Sequence, residues 1–581
     1  MAAQPRAARL VRGERPRPAP AQLLVAAACV TVALCMGTVG HAQRGAAPDM
    51  PVEQVVVGDK GHAVTAGPGN RLERFPIEVV AVQWEGGAGF PLVLVRAGGE
   101  FIAAAGGVAA GMSGSPVYVS TEAGDALLGA IGYVFPRADH DLALVTPIAV
   151  MRRALPGRMP PFVDVPGVGR AVPAATPVLM TGVSTRAAAL LAPLFRDERV
   201  APFVAQGGGT GPGSPSGAPG AADELGPGSA LAVALAWGDV NIQAVGTVTA
   251  VEDGELLAFG HPFLGLGRVA YPVVPAEVTA IVASADVPFK LANAGGPILG
   301  TVEQDRPGAI AGRLGVEPPA ILVELSLLGI GPSTSYSFSV PADDRLYPPV
   351  VGTGVLALLD RYLSATTGGY AEVAWEIALG SGERVNVLEQ TNDATDIGYR
   401  AAVLAFSPLA LLADNRFGES DVTRVSLAIR LDERQRVATL EEAVAEETTV
   451  AAGENAIVHL RLQPYRQPAI VRNVSVPIPA DMEGELTLLI RGGDVPRDTG
   501  DAHVDEQEVD RPRSYPELLD ALRQQVQASE LVVEVVTQDG DVLRLLRTPF
   551  AFVVDGNERV TLEVVVAEDT DEGTGADGAE N

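Results

Sequence analysis

Between Ala109 and Val119 the chain reads AAGMSGSPVYV, a run of small residues around two hydroxyls that is closed by Pro116 and leads straight into a strand. A tight Gly111-Met112-Ser113-Gly114 turn can present the Ser113 hydroxyl while aiming the N–H groups of Gly111 and Ser113 at one point, the arrangement an oxyanion hole needs. Ser115 offers a second hydroxyl two residues on. A Gly/Ser hairpin loop in a β-rich protein is the plainer reading of the same residues. A serine hydroxyl becomes a useful nucleophile only beside a base, and histidine is the side chain whose proton affinity suits that task.

Beyond residue 42 the histidines are His62, His140, His261, His459 and His503. His503 sits in the acidic stretch DTGDAHVDEQEVD, and His459 alternates with apolar neighbours in a strand. His140 lies in the polar turn PRADHDLALV between Asp139 and Asp141, and His62, in DKGHAVTA, precedes the serine. His261 is set apart by AFGHPF, in which Gly260 and Pro262 hold it at the end of an apolar strand, the same construction as the serine turn. On the residues alone a rim histidine bonded to backbone is the plainer reading of His261, and His62 and His140 stay open beside it as bases for Ser113.

The elements that must position these side chains are mainly β. Residues 50–205 read as a first β part, in which short β-branched runs broken by Gly and Pro fill 52–150: IEVVAVQW, FPLVLVRA, SPVYVS, LLGAIGYVF and LALVTPIAV. A helical stretch, TRAAALLAPLF, follows, then a Gly/Pro-rich linker over 206–228 with too little apolar surface to order itself. Residues 229–315 read as a second β part, in which three strands joined by Gly-Asp and Asp-Gly turns deliver His261 just past the third. Residues 316–447 alternate strands with helices such as VLALLDRYL. Residues 448–566 read as an immunoglobulin-like β-sandwich interrupted by a helix with a Ser514/Glu517 capping box and an apolar stripe of Leu518, Leu519, Leu522 and Val526. An acidic tail covers 567–581.

Composition narrows the function. The net charge of −29 opposes binding to nucleic acid or anionic membranes. Lys60 and Lys290 are the only lysines, so no lysine patch suggests phosphate binding. No Gly-rich phosphate loop opens a helix and no His pair has metal-ligand spacing, so neither cofactor nor metal is expected. Five arginines followed by an apolar run from Leu23 to Val39 and small residues at Gly40 and Ala42 read as an export signal over 1–42, with an uncleaved membrane anchor as the alternative. Both cysteines, Cys29 and Cys35, fall inside that run, which leaves no thiol chemistry after cleavage.

GGVAAGMSGSPVYV with LLGAIGYVF resembles the serine loop of the SpoIVB-type (stage IV sporulation protein B) serine peptidases, serine peptidase family 55. AFGHPFLGLG with GTVEQDRPGAIAGRLG is similar to that family's histidine region, and the similar stretches cover about 50–151 and 228–315. The resemblance implies a chymotrypsin-like β-barrel peptidase region and an exported serine endopeptidase acting on a protein or peptide through an acyl-enzyme. It implies Ser113 as nucleophile, His261 as general base, and the Gly111 and Ser113 N–H groups as oxyanion donors. Two departures stand out. The serine precedes the histidine here, the reverse of the family order, and the stretch VRAGGEFIAAAGG upstream of the serine holds Glu100 and no Asp. Asp305, Asp253, Asp139 and Glu100 are open as the third member. The family's PDZ-like module is not recognisable. A catalytically inactive, peptidase-like binding protein of the cell envelope is the rival expectation, since fold resemblance alone cannot separate the two.

Overall fold

The computed structural model describes residues 47–84, 89–135, 139–153, 163–165, 169–174, 176–195, 200–205, 225–284, 287–497, 512–537 and 542–566. The segment read as an export signal, His503, the acidic tail and most of the 206–228 linker lie outside the described residues. No helix among the described residues is long and apolar enough to cross a membrane.

The mainly β expectation holds, and its form is specific. Strands β1 (Lys60–Ala66), β2 (Leu72–Gln83), β3 (Leu92–Ala97), β4 (Pro116–Thr121), β5 (Gly124–Val134) and β6 (Leu142–Pro147) pair in the order β1-β2-β3-β6-β5-β4, and β4 returns to pair β1. The result is a closed six-stranded antiparallel barrel. Helix α1 (Gly99–Ala105) lies in the connection from β3 to β4, which also carries the serine turn.

A second closed barrel follows. Its strands are β7 (Ala230–Gly238), β8 (Asn241–Glu252), β9 (Glu255–Ala258), β10 (Gly267–Val282), β12 (Gly300–Arg306) and β13 (Ala309–Leu314), while β11 (Phe289–Ala294) pairs β10 outside the ring. The ring order is β7-β8-β9-β13-β12-β10, with β7 pairing both β8 and β10. Position by position, this repeats the strand order of the first barrel. Residues 50–205 and 229–315, expected as two parts of one β region, thus each contain a complete barrel.

The sequence of β7, ALAVALAWG, explains how the barrels meet. Leu231, Val233 and Leu235 enter the interior of the second barrel, and the alternate residues Ala230, Ala232 and Ala234 pack in a cluster with Ala66 of β1. A strand covered on both faces needs no polar face, and alanine on the outer one lets the barrels approach closely. On the other side of the seam, Leu127 and Ala130 of β5 pack with Ile148, Met151 and Ala309.

From the end of β7 the sheet continues through Thr334–Pro341 into the other four strands of residues 320–432, with two long helices, Tyr347–Leu363 and Ile397–Ala413, packed on each other and into the same core. The helix expected around VLALLDRYL is the first of these. A four-stranded and a five-stranded sheet then enclose the C-terminal core as a sandwich. Its first strand is Val437–Ala445, so it begins ahead of residue 448. Ser514 Oγ accepts from the Glu517 N–H as the capping box requires, while the Glu517 carboxylate accepts from the Arg513 N–H. Leu518, Leu519 and Leu522 are buried, but the helix stops at Arg523 and Val526 lies beyond it.

Candidate active site

Ser113 and His261 occupy the same place in their respective barrels: each lies on the connection from the third strand to the fourth, residues 98–115 in the first and 259–266 in the second. These two connections meet at the seam. A Cβ placed on Gly114 would lie 2.0 Å from Thr247 O and 2.5 Å from Phe259 N, and one placed on Gly260 would lie 2.7 Å from Ile131 O. Glycine is required at both positions, because each also has a left-handed φ, +90° at Gly114 and +69° at Gly260.

Each barrel holds the other's loop. From β8, the Thr247 N–H donates to Ser113 O at 2.9 Å, the Thr247 hydroxyl to Gly111 O at 2.9 Å and the Thr249 hydroxyl to Gly114 O at 2.7 Å. In return the Thr146 hydroxyl of β6 donates to Gly260 O at 2.6 Å. Within the serine turn, the Met112 N–H donates to Ala109 O, the Ser115 N–H to Met112 O and the Gly114 N–H to Ile131 O. Among the described residues the N–H groups of Gly111 and Ser113 make no hydrogen bond, which leaves the pair expected as oxyanion donors uncommitted.

The Ser113 side chain is fully buried, and its Oγ has no hydrogen-bond partner among the described residues; the same holds for Ser115. A buried hydroxyl without a partner costs free energy, on the order of 1–3 kcal/mol, and calls for a reason. His261 is also fully buried and does not hydrogen-bond to Ser113 Oγ. Its Nδ1 lies 2.7 Å from Pro262 O. A carbonyl can only accept, so Nδ1 carries the proton in the neutral ring and Nε2 carries the lone pair, the tautomer a general base needs. Just ahead of it Phe259 holds φ +71°, a conformation that strains a bulky residue, and Gly246 leaves room for its ring. The Phe259 and His261 ring centroids are 5.9 Å apart.

The candidates for an orienting acid separate cleanly. Asp305, on β12, is buried, and its carboxylate accepts the N–H groups of Phe263, Leu264 and Gly265, each at 2.8 Å. It therefore fixes the loop that follows His261. Burial raises its pKa, and the four backbone N–H groups of residues 263–266 oppose that rise. Glu100 is exposed on α1, Asp253 is exposed in the β8–β9 turn, and Asp139 is exposed and paired with Arg96 at 2.6 Å. The acceptor at His261 Nδ1 is the Pro262 carbonyl, which no search among acidic residues would have found.

The other histidines stand apart from the serine turn or serve its frame. His62 stacks on Tyr118 and lies 2.8 Å from the Arg74 guanidinium; burial and Arg74 lower its pKa. The His140 backbone supports the start of the serine segment, its carbonyl accepting from the Val108 N–H at 2.8 Å. His459 faces Asn473 on a sandwich strand. No group of three metal-ligating side chains occurs among the described residues. Four cavities of 370 to 620 Å³ lie along other parts of the surface, and neither Ser113 nor His261 lines any of them.

Sequence reasoning overlooked Lys290. It is buried at the start of β11, directly against Gly111, with Nζ 2.8 Å from Thr65 Oγ1 and 3.3 Å from Thr247 Oγ1. Burial alone pulls its pKa down to about 7. The one signal in the sequence was a lysine in an apolar strand of a chain whose other basic residues, apart from Lys60, are arginines and histidines. Comparisons with protein-family models, with curated proteins and with solved structures give no match.

Proposed function

We propose that this chain is an exported serine endopeptidase of the SpoIVB type, with Ser113 as nucleophile and His261 as general base. One observation carries the reading: the third-to-fourth connections of two barrels with the same strand order converge, one bearing the serine and the other the histidine. Two barrels meeting at a seam are a frame on which Ser-His chemistry is known to work, and triads are defined in space rather than by chain order, so the reversed order is no obstacle.

In this mechanism Ser113 Oγ attacks the scissile carbonyl as His261 Nε2 takes its proton. The developing oxyanion is received by the N–H groups of Gly111 and Ser113, and the imidazolium returns the proton to the leaving amine. Water then repeats the sequence on the acyl-enzyme. The Pro262 carbonyl orients the ring in place of a carboxylate, which stabilises the imidazolium less than a charged partner would. Both reacting side chains are buried, so catalysis requires the seam to open toward substrate.

That same burial favours a second reading, a non-catalytic envelope protein that retains the two-barrel frame for binding. Reaction with a fluorophosphonate separates the two. The enzyme labels in the wild type and not after Ser113→Ala; absence of labelling in the wild type under conditions that open the seam, such as added peptide, supports the binding protein. Loss of labelling with Ser115→Ala and its retention with Ser113→Ala would move the nucleophile to Ser115.

A further inference from the structure

Lys290 brackets Gly111 from two directions. Its backbone N–H donates to Ala110 O at 2.9 Å, and the Ala110 N–H donates to Pro288 O at 2.7 Å, so the serine segment is tied to the start of β11 as a short parallel bridge. On the other side, Lys290 Nζ contacts Thr247 Oγ1 at 3.3 Å, and that hydroxyl donates to Gly111 O at 2.9 Å. The lysine stem runs along the glycine: a Cβ on Gly111 would lie 3.2 to 3.4 Å from Lys290 Cβ, Cδ and Cγ.

The consequence follows from peptide planarity. The C=O and N–H of a trans peptide point in opposite directions, so holding Ala110 O sets the direction of the Gly111 N–H. Holding Gly111 O sets the next plane, which keeps the glycine at its φ of +89°. The two carbonyls on either side of the Gly111 Cα are thus held from the Lys290 position, Ala110 O by a main-chain bond that most residues there would keep and Gly111 O by the lysine side chain through Thr247. The groups facing the amine are the neutral hydroxyls of Thr65 on β1 and Thr247 on β8. Burying an amine opposite hydroxyls alone is costly, and such a cost is tolerated where function needs the group.

We propose that Lys290 is a positioning residue that presets the Gly111 N–H as an oxyanion donor, with Thr247 as its link to the serine turn. This rests on the reading of Ser113 as nucleophile. The full chain is labelled with a fluorophosphonate and the rate is compared among variants. Lys290→Met keeps the main-chain bond to Ala110 O, removes the amine's hold on Thr247 and lowers the rate about tenfold, in line with the sensitivity of reaction to a displaced oxyanion donor. Thr247→Val, which keeps the lysine and the shape of the side chain, lowers it in the same direction and carries the test if Lys290→Met does not fold. Thr65→Val removes the nearer partner of the amine without touching Gly111 and lowers the rate less than Thr247→Val does.

A spectroscopic readout tests the coupling itself. With only Lys60 and Lys290 in the chain, ¹⁵N-lysine labelling gives two resolvable amine signals. Formation of the Ser113 adduct shifts the Lys290 signal and leaves Lys60 in place. Wild-type labelling rates in both Lys290→Met and Thr247→Val, an equal loss in Thr65→Val and Thr247→Val, or an unmoved Lys290 signal in the adduct each overturn the positioning role while Ser113 stands as nucleophile. A wild type that never labels removes the nucleophile and the positioning role together.

Discussion

The two barrels share one strand order and differ in what fills the same connection. In the first, eighteen residues from Gly98 to Ser115 accommodate a short helix, a chain of small residues and the serine turn; in the second, eight residues from Phe259 to Leu266 make a compact loop around a buried aspartate. The barrel walls are built from similar material, Val, Leu, Ile and Ala at alternate positions, so the strands account for the frame and the connections for the candidate site. The manner of support differs too. Neutral threonine hydroxyls and Lys290, all from outside the serine turn, hold that turn, whereas a carboxylate from its own barrel holds the histidine loop. The serine segment takes most of its support across the seam, whereas the histidine segment has one such bond, from Thr146 to Gly260 O, and takes the rest from within its own barrel.

The largest effects follow from removing what each connection contributes. Ser113→Ala abolishes fluorophosphonate labelling, and His261→Ala lowers its rate roughly 10²- to 10⁴-fold, the usual contribution of a positioned base. His62→Ala, on a wall strand of the first barrel, stays within about twofold of the wild type on the same scale. A His62 variant that loses reactivity as His261→Ala was expected to would break the comparison and restore a base on the serine's own barrel.

Backbone crowding at the seam sharpens the comparison next. Gly114→Ala places a Cβ 2.0 Å from Thr247 O at φ +90°, and Gly260→Ala places one 2.7 Å from Ile131 O at φ +69°. Neither obstacle is a side chain that can turn aside. Both variants lose stability, Gly114→Ala by more, on the order of 3 kcal/mol or above given a steric clash added to left-handed strain. The midpoint of urea unfolding, read by fluorescence, ranks them. A reversed ranking would mean that the serine turn yields more easily than the histidine loop.

Much of this architecture was legible in the residues. The alternating runs broken by glycine read as strands, the three-strand meander did deliver His261 past its third strand, and Ser514 did open a helix. Closure was not legible, because strand alternation states which face is buried and not which strand returns to which; the β4–β1 and β10–β7 pairings join segments with other strands between them. The serine could be singled out from its glycine setting and the histidine from its setting together with the family resemblance, yet their equivalent places needed the shared strand order. The partner at His261 Nδ1 is a backbone carbonyl, a group present at every residue and therefore invisible to composition. Lys290 gained its meaning from Gly111, nearly 180 residues earlier in the chain.

The smallest effect tests the support within the second barrel. Burial holds the Asp305 pKa above the ordinary aspartate value despite the N–H groups aimed at it, so the native state keeps this proton more tightly than the unfolded chain does. The associated stability is fully present below the unfolded pKa and is lost as pH rises through the interval up to the folded value. Asp305→Asn removes the titration and leaves a side chain with one acceptor oxygen for the loop 263–266. Its deficit in urea midpoint against the wild type is therefore greatest at acid pH and narrows as pH rises through that interval. A deficit that widens with pH would show that the backbone donors outweigh burial and hold Asp305 below its ordinary value; the histidine loop would then rest on a stabilised charge, while the serine turn rests on neutral hydroxyls and a buried amine.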